Sequence, residues 1–170
     1  MKVFGIAGWS GSGKTTLIKA LLPVLSARGL RVGTVKHTHH DPVFGTQSDA
    51  LLATAGLVET MMVSTDRFTL VHEHQGQSEP PLPSLLSALA GIDLVLVEGF
   101  KFSRHPRLEI WDSALQHPLM AVSDRSVRAV VSDDSGDGLS GLVIPRFHRH
   151  EIMPIAEFIV SNCIPLSELE

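Results

Sequence analysis

Alternating blocks of apolar and polar residues along the chain predict strands and helices that follow one another. After Lys2 the first block is almost wholly apolar, which predicts a central strand over about residues 2 to 8, covered on both faces. Apolar residues then recur at helical spacing from Leu17 to Leu25, and Gly29 marks the end of this helix. A second predicted strand, with the sequence LRVGTVKH, ends at Lys36.

The remaining pattern predicts further strands and helices with one hairpin among them. A polar loop and a short helix closed by Gly56 precede two strand-like runs, VETMMVS and RFTLVHE, which predict a hairpin over about residues 58 to 73. Ser84 is expected to cap a helix with the sequence SLLSALAG. Later runs predict four strands, IDLVLVEGF, PRLEIWDS, RAVVSDD and GLVIP, and a closing helix, RHEIMPIAEFIVSN. This alternation predicts an α/β fold with a mostly parallel sheet and an antiparallel β insertion.

The loop between the first strand and the first helix carries the most specific motif. Its sequence GWSGSGKT fits G-x-x-x-x-G-K-[ST] and has the flanking strand and helix that this motif requires. Glycines let successive backbone N–H groups turn towards an anion, and the helix N-terminus adds partial positive charge. We expect Lys14 to reach the outer phosphates of a nucleotide and the Thr15 hydroxyl to hold Mg²⁺ between two phosphates. The candidate nucleotide-binding residues of this loop are Gly8, Ser10, Gly11, Ser12, Gly13, Lys14, Thr15 and Thr16, of which Ser10, like Trp9, occupies a variable position without an individual role.

Composition limits the classes of protein to which the chain can belong. Hydrophobic residues make up 44% and charged residues 19% of the 170 residues, which indicates one globular domain over residues 1–170 that is long enough for a three-layer core. Together with the phosphate loop, this predicts a three-layer P-loop NTPase-like fold. The net charge of −4 argues against nucleic acid or a membrane as a partner. Cys163 is the only cysteine, so one chain can form neither an internal disulfide nor a cysteine-based zinc site. Because we find no leader and no apolar run of about 20 residues, we expect a cytoplasmic protein.

A carboxylate at the end of a buried strand is the second candidate site residue. Four apolar residues lead into Glu98, and ligands of open α/β sheets bind at the carboxyl ends of strands. Glu98 is placed to hold Mg²⁺, usually through water, or to orient an attacking water, so Glu98 and Lys14 are the candidate catalytic residues. The alternative is a solvated loop residue. Gly99 allows the chain to turn close to the ligand.

The run KHTHHD is the most unusual stretch after the phosphate loop. Its histidines, His37, His39 and His40, have the composition of a metal site, but they also suit hydrogen bonds to phosphates or to a second substrate, with Lys36 supplying charge. Exposed loop residues are the alternative for each histidine. Asp41 is either a second carboxylate near Mg²⁺ or a turn former before a proline.

The base of the nucleotide is left open by the residue chemistry. The guanine-reading pattern N-K-x-D does not occur, because Asn162 is the only asparagine and no lysine follows it. A single carboxylate can still accept hydrogen bonds from both N–H donors of guanine. Asp133 follows a late strand, where such a base pocket would lie, although a surface turn explains it equally well.

Five segments in this order, AGWSGSGKTTL, KHTHHD, AG, DLVLVEGFK and AVVSD, resemble the molybdopterin-guanine dinucleotide biosynthesis protein B family. The resemblance covers most of residues 1–135. It implies a P-loop protein that binds GTP, hydrolyses it weakly and forms a homodimer. It also implies an adaptor that works with the guanylyltransferase that attaches GMP to the molybdenum cofactor.

Carried onto this chain, the phosphate loop of the family falls on residues 8–16, its Lys-His motif on residues 36–40 and its Glu-Gly-Phe-Lys motif on residues 98–101, ending at Lys101. The resemblance implies that the histidines and Lys101 face the partner or molybdopterin. One departure is the loop after the histidines, which is shorter than in many family members and reads DPVFGTQSD. The predicted hairpin is the expected dimerisation element.

Three other functions share the phosphate loop. A small-molecule kinase would need an arginine-rich lid, for which Arg104 and Arg107 are the nearest candidates. A histidine-rich metallochaperone GTPase is favoured by the histidines, although no cysteine lies near them. A binding module would hold a nucleotide that it never turns over.

Overall fold

The computed structural model divides the chain into two compact units. The first comprises residues 1–37 and 82–170, and the second comprises residues 38–81. The residues that the structure describes are 1–38, 59–74, 76–100, 103–134 and 137–169. The short helix predicted before Gly56 lies outside them.

In the described part of the first unit, strands alternate with α-helices near its two ends, whereas the strands between Leu94 and Phe147 are separated by loops and 3₁₀ turns. Its helices are α1 (Lys14–Ala27), α2 (Leu82–Ser87) and α3 (Ile152–Asn162), with short 3₁₀ turns at Ser113–Leu115, Met120–Val122, Asp137–Leu139 and Leu166–Glu168. Its strands are β1 (Lys2–Ala7), β2 (Val32–Lys36), β5 (Leu94–Glu98), β6 (Arg107–Ile110), β7 (Val127–Val131), β8 (Arg146–Phe147) and β9 (Ile164–Pro165). The second unit contributes β3 (Glu59–Val63) and β4 (Phe68–His72).

The described strands of the first unit form one sheet around β1. The order is β2-β5-β1-β6-β7-β8, and every neighbouring pair in this row is parallel. The ninth strand runs antiparallel to the start of β1, where Lys2 lies opposite Pro165, and β6 pairs with β1 only from Gly5 onward. The predicted α/β class with a mostly parallel sheet is confirmed.

The two faces of this sheet carry separate apolar layers. Successive strand residues point to opposite faces, so Phe4 packs towards α1 and α3 whereas Val3 packs towards α2. In β5, Leu94 and Leu96 belong to the first layer and Val95 and Val97 to the second. The central strands are therefore apolar on both faces, as the sequence predicts.

Two predicted element positions are wrong. The second helix begins at Leu82, so Ser84 lies inside it, because the fixed φ of Pro83 suits the first turn of a helix. The run GLVIP is not a strand: Val143 is 99% exposed, and the strand begins only at Arg146.

The second unit contains the predicted hairpin, which is confirmed. Met61 pairs with Leu70 and Val63 with Phe68, and these four side chains share one exposed face of the two-stranded sheet. At the far end of that face, His72 Nδ1 lies 2.9 Å from Glu59 Oε1. Across the described ranges of both units, no helix is long and apolar enough to cross a membrane.

Candidate functional site

The phosphate loop connects β1 to α1 through three glycines with positive φ. These are Gly8 (138°), Gly11 (80°) and Gly13 (95°), and Gly13 is also the N-cap of α1. A Cβ atom on Gly8 would lie 2.5 Å from the carbonyl oxygen of Ile110, so no side chain fits there. These residues form the loop because glycine alone adopts this backbone at little cost, and the resulting turn aims N–H groups inward.

The loop opens onto a cleft of about 340 Å³. Lys14 Nζ donates a hydrogen bond to the carbonyl oxygen of Trp9 at 2.9 Å, which holds the ammonium over the loop. The cleft is lined by Ser10, Gly11, Gly13, Lys14, Thr15, Thr16, Lys36 and Glu98. A cleft with two ammonium groups and a helix N-terminus has the electrostatics of a phosphate site.

Glu98 brings a carboxylate to the other wall of this cleft. It ends β5 and is 8% exposed, and Lys36 lies opposite it in the register of β2 and β5. Its Oε2 accepts a hydrogen bond from Thr15 Oγ1 at 3.3 Å, and its Oε1 lies 3.6 Å from Lys36 Nζ. A hydroxyl and a carboxylate oxygen thus meet beside the phosphate loop. Because Mg²⁺ takes oxygen ligands and commonly one or two carboxylates with water and phosphate, these residues fit a magnesium ion.

The predicted Lys-His and Glu-Gly-Phe-Lys motifs meet across β2 and β5. The His37 backbone N–H donates to the carbonyl oxygen of Glu98 at 2.9 Å, and the His37 ring lies 5.0 Å from the ring of Phe100. Gly99 has a φ of 96°, and a Cβ atom there would lie 2.8 Å from His37 Cβ. The glycine therefore allows the two motifs to approach each other beside the cleft.

Comparison with protein families shows to which family this chain belongs. The family model for molybdopterin guanine dinucleotide synthesis protein B, MobB, matches residues 3–133, which include the phosphate loop, both motifs and Asp133. The chain belongs to this family. Within it, the chain is 42% identical over 136 residues to the molybdopterin-guanine dinucleotide biosynthesis adapter protein of Escherichia coli K12, covering 77% of this chain and 78% of that protein. The adapter protein of Haemophilus influenzae is 34% identical over 139 residues, covering 77% and 74%.

Solved structures support the MobB fold. A crystal structure of molybdopterin-guanine biosynthesis protein B superposes with a TM-score of 0.69 at 29% identity, covering 94% of this chain and 98% of the other. The MobB homolog from Bacillus stearothermophilus gives 0.65 at 26% identity, covering 94% and 95%. The Bacillus subtilis MobB structure gives 0.72 at 22% identity and supports the fold alone.

The structure brings most of the predicted site residues of this MobB member together. Apart from Gly8 and Ser12, the predicted loop residues line one cleft together with Lys36 and Glu98, and His37 and Gly99 lie beside it. Ser12 does not line the cleft: its hydroxyl is buried in the loop, 2.6 Å from the position of a Cβ atom on Gly8. Four predicted residues, His39, His40, Asp41 and Lys101, lie outside the described residues.

Asp133 lies at the carboxyl end of β7, but it is not a free surface residue. Its Oδ1 accepts a hydrogen bond from the backbone N–H of Arg149 at 3.0 Å, and its Oδ2 lies 3.4 Å from Arg149 Nε. The neighbouring Asp134 accepts hydrogen bonds from the N–H and hydroxyl of Ser113, which lower its pKa below the ordinary value. The hydrogen bonds between Ser113 and Asp134 therefore join the segments that follow β6 and β7, on the side of the phosphate loop that faces away from β5.

Sequence reasoning missed two residues that hold the phosphate loop. Trp9 stacks on His117, with ring centroids 4.4 Å apart, and Trp9 Nε1 donates to the carbonyl oxygen of Pro118 at 2.9 Å. Arg149 Nη1 donates to the carbonyl oxygen of Ser12 at 2.9 Å from 137 positions away. No motif spacing connects residues so far apart, so nothing in the sequence pointed to the contact of Arg149 with the loop.

The proposed kinase lid is wrong for Arg107. This arginine is 3% exposed at the start of β6, donates to the carbonyl oxygen of Ser103 and lies 4.0 Å from Asp124. A side chain so enclosed cannot swing over a phosphate. Among the described residues, no group of three or more His, Cys, Asp or Glu side chains is arranged to hold a metal ion.

Proposed function

We propose that this chain is a GTP-binding adaptor in the attachment of GMP to molybdopterin, which forms the guanine dinucleotide of the molybdenum cofactor. The observation that carries the proposal is the contact of Thr15 with Glu98 beside an intact phosphate loop in a member of this family. The relatives from Escherichia coli and Haemophilus influenzae are both named adapter proteins of this biosynthesis.

The chain's own residues divide the work on the nucleotide. The loop amides and Lys14 bind the β- and γ-phosphates, and the oxygens of Thr15 and Glu98 would hold Mg²⁺. When bound, Mg²⁺ neutralises phosphate charge. Glu98 also orients the water that attacks the γ-phosphate, and because no arginine lines the described part of the cleft, we expect this hydrolysis to be slow. The weak GTPase is thus secondary to the adaptor role.

Recognition of guanine falls to Asp133. A carboxylate accepts from the ring N–H and the exocyclic amino group of guanine together, which adenine does not offer. Asp133 suits this role because its side chain is 60% exposed and follows β7, at the same end of the parallel sheet as the phosphate loop.

The partner of this adaptor is the guanylyltransferase that uses the guanine nucleotide. The residues that we assign to face that enzyme or molybdopterin are Lys36, His37, His39, His40 and Lys101. The phosphate of molybdopterin suits their cationic and imidazole donors.

The chain itself acts as a cytoplasmic homodimer. The exposed apolar face of the hairpin, formed by Met61, Val63, Phe68 and Leu70, supports this proposal, because a second copy would remove these side chains from water.

Calorimetric titration of GTP and ATP with magnesium tests the proposal. Wild type should bind GTP more tightly than ATP, and Lys14→Ala should lose GTP binding because the phosphates lose their ammonium partner. Lys19→Ala is the matched control, since it removes the same charge from an exposed position of α1. Tighter binding of ATP by wild type would overturn the guanine assignment, and unchanged binding by Lys14→Ala would overturn the phosphate site.

A further inference from the structure

A turn after β8 carries Arg149 to the side of the phosphate loop that faces away from the cleft of Glu98. The turn is fixed at both ends: Ser132 N donates to the carbonyl oxygen of Phe147 at 2.9 Å, and His148 N donates to Glu151 Oε2. These bonds attach it to the end of β7 and to the start of α3. Arg149 is therefore presented by ordered backbone, and its side chain is 31% exposed.

One guanidinium connects three elements of the site. Nη1 binds the carbonyl oxygen of Ser12, Nη2 donates to Asp112 Oδ2 at 3.2 Å, and Nε contacts Asp133. Nη2 also lies 3.4 Å from the carbonyl oxygen of Trp111. The rigid fork of arginine suits this arrangement, because Nη1 and Nη2 donate in fixed directions to separate acceptors while Nε stays within ion-pair distance of Asp133.

The bond to Ser12 orients the next N–H group of the loop. In a trans peptide the C=O and the following N–H point in opposite directions. The carbonyl oxygen of Ser12 points at Arg149, so the N–H of Gly13 points the other way, and Gly13 lines the cleft. A Cβ atom on Gly13 would lie 3.0 Å from Arg149 Nη1, which shows how closely the guanidinium packs on this peptide.

The same side chain orients the carboxylate at the end of β7. The N–H and Nε of Arg149 contact different oxygens of Asp133, which fixes the plane of that carboxylate. An ionised carboxylate has about four acceptor positions, so these contacts leave room for two more donors.

We propose that Arg149 is a positioning residue that holds the Gly13 N–H for the phosphates and the Asp133 carboxylate for the base as one unit. This inference rests on the proposed GTP site. Arg149 lies beyond the residues 3–133 that the family model matches. It acts through Gly13 and Asp133 and does not touch the nucleotide.

The test compares three ligands: GTP, ITP, which lacks the exocyclic amino group, and tripolyphosphate, which lacks the base. Arg149→Met should raise the Kd for tripolyphosphate about tenfold, because the orienting charged hydrogen bond is lost. The Kd for GTP should rise further, so that the preference for GTP over ITP shrinks. Arg149→Lys should recover tripolyphosphate binding in part but not the preference, because an ammonium cannot contact Ser12 and Asp133 together. Arg128→Met, an exposed arginine on β7, controls for the lost charge.

If Arg149 had a merely structural role, its replacement would weaken the binding of all three ligands by the same factor, and this result would overturn the assignment. Folded Arg149→Met with values within about twofold of wild type would also overturn it. If Arg149→Met does not fold, Arg149→Lys decides by the same comparison of GTP with ITP. Wild type that fails to bind GTP overturns the proposed site and this inference together, whereas GTP binding by wild type with an unaffected variant overturns the inference alone.

Discussion

Thr15 Oγ1 donates a hydrogen bond to Glu98 Oε2, which lies 83 positions further along the chain. The bond joins the first turn of α1 to the carboxyl end of β5. Because Lys36 Nζ contacts the other oxygen of the same carboxylate, Glu98 is oriented from two sides. A hydroxyl and an oriented carboxylate are thereby placed together at the mouth of a phosphate loop.

Replacement of Glu98 by glutamine should separate nucleotide binding from hydrolysis. The amide keeps the size of the side chain but loses the negative charge that holds Mg²⁺ and orients the attacking water. We expect GTP binding to remain and the single-turnover rate of GTP hydrolysis to fall roughly a hundredfold. The magnesium concentration for half-maximal hydrolysis should also rise.

Glu157→Gln is the control for this change, because Glu157 pairs with Arg28 on the exposed side of α3. Its hydrolysis rate should equal that of wild type. If Glu98→Gln hydrolysed GTP as fast as Glu157→Gln, the carboxylate would have no part in turnover, and the binding-module interpretation would gain support.

Gly8→Ala should disrupt the phosphate loop, because its Cβ would meet the carbonyl oxygen of Ile110 at 2.5 Å. Because the clash is with backbone and not with a flexible side chain, relief would require the backbone of the loop or of Ile110 to shift. We therefore expect a loss of about 2 kcal/mol or more in the free energy of unfolding. GTP binding should be lost with it. Urea unfolding and calorimetry measure the two effects.

Gly29→Ala separates this clash from backbone strain. Gly29 also has a positive φ, 79°, but a Cβ atom there meets nothing within 4 Å. This variant should lose about 1 kcal/mol and keep its GTP affinity. Equal losses of stability and binding in the two variants would contradict the steric explanation.

The cleft could be predicted from the sequence because its parts obey local rules. The phosphate loop is a contiguous motif, and Lys36 and Glu98 both follow strands of a parallel sheet, whose carboxyl ends meet at one edge. The contact between Lys36 and Glu98 itself was not predicted; it follows from the pairing of β2 with β5 in the structure. The central strands could also be predicted, because burial on both faces gives an unbroken run of apolar residues in the sequence.

The residues that support the phosphate loop from outside the cleft could not be predicted, because their contacts depend on tertiary packing. The position of Arg149 beside Ser12 follows from where β8 ends, and the run GLVIP before it was wrongly predicted as a strand. The assignment of Arg107 to a kinase lid was wrong for a related reason. The sequence shows only a basic residue near a loop, whereas in the sheet Arg107 lies on β6, between β1 and β7, and is buried.

His105 predicts a loss of stability in mild acid. It is fully buried and, within the described part of the chain, neither ring nitrogen has a hydrogen-bond partner. Burial lowers its pKa from 6.5 to about 4, with Arg107 acting in the same direction and Asp124 opposing it. The unfolded chain therefore takes up a proton below pH 6.5, which the folded chain refuses until about pH 4. The contribution of neutral His105 to stability is therefore present above pH 6.5 and is lost as the pH falls. We expect the free energy of unfolding to decrease by about 2 kcal/mol between pH 7 and pH 5.

His105→Leu isolates this effect from the other titrating groups. Leucine keeps an apolar volume beside Gly5 and cannot take up a proton in the unfolded chain. Urea unfolding at pH 7 and pH 5 should therefore show a smaller difference for His105→Leu than for wild type, by about 2 kcal/mol. The same pH dependence in both proteins would exclude His105 as its source.

Phe68→Glu should convert the proposed homodimer to a monomer. Phe68 is 66% exposed and pairs with Val63 on the apolar face of the hairpin, so a second copy seated there would bury the new charge without a partner. We expect the dissociation constant of the dimer to rise about a hundredfold, measured by size-exclusion chromatography with light scattering over a concentration series. Thr65→Glu adds the same charge in the turn between the strands and should leave the dimer intact. A dimer that survives Phe68→Glu would place the contact elsewhere, and a wild type that is monomeric throughout the series would refute the dimer itself.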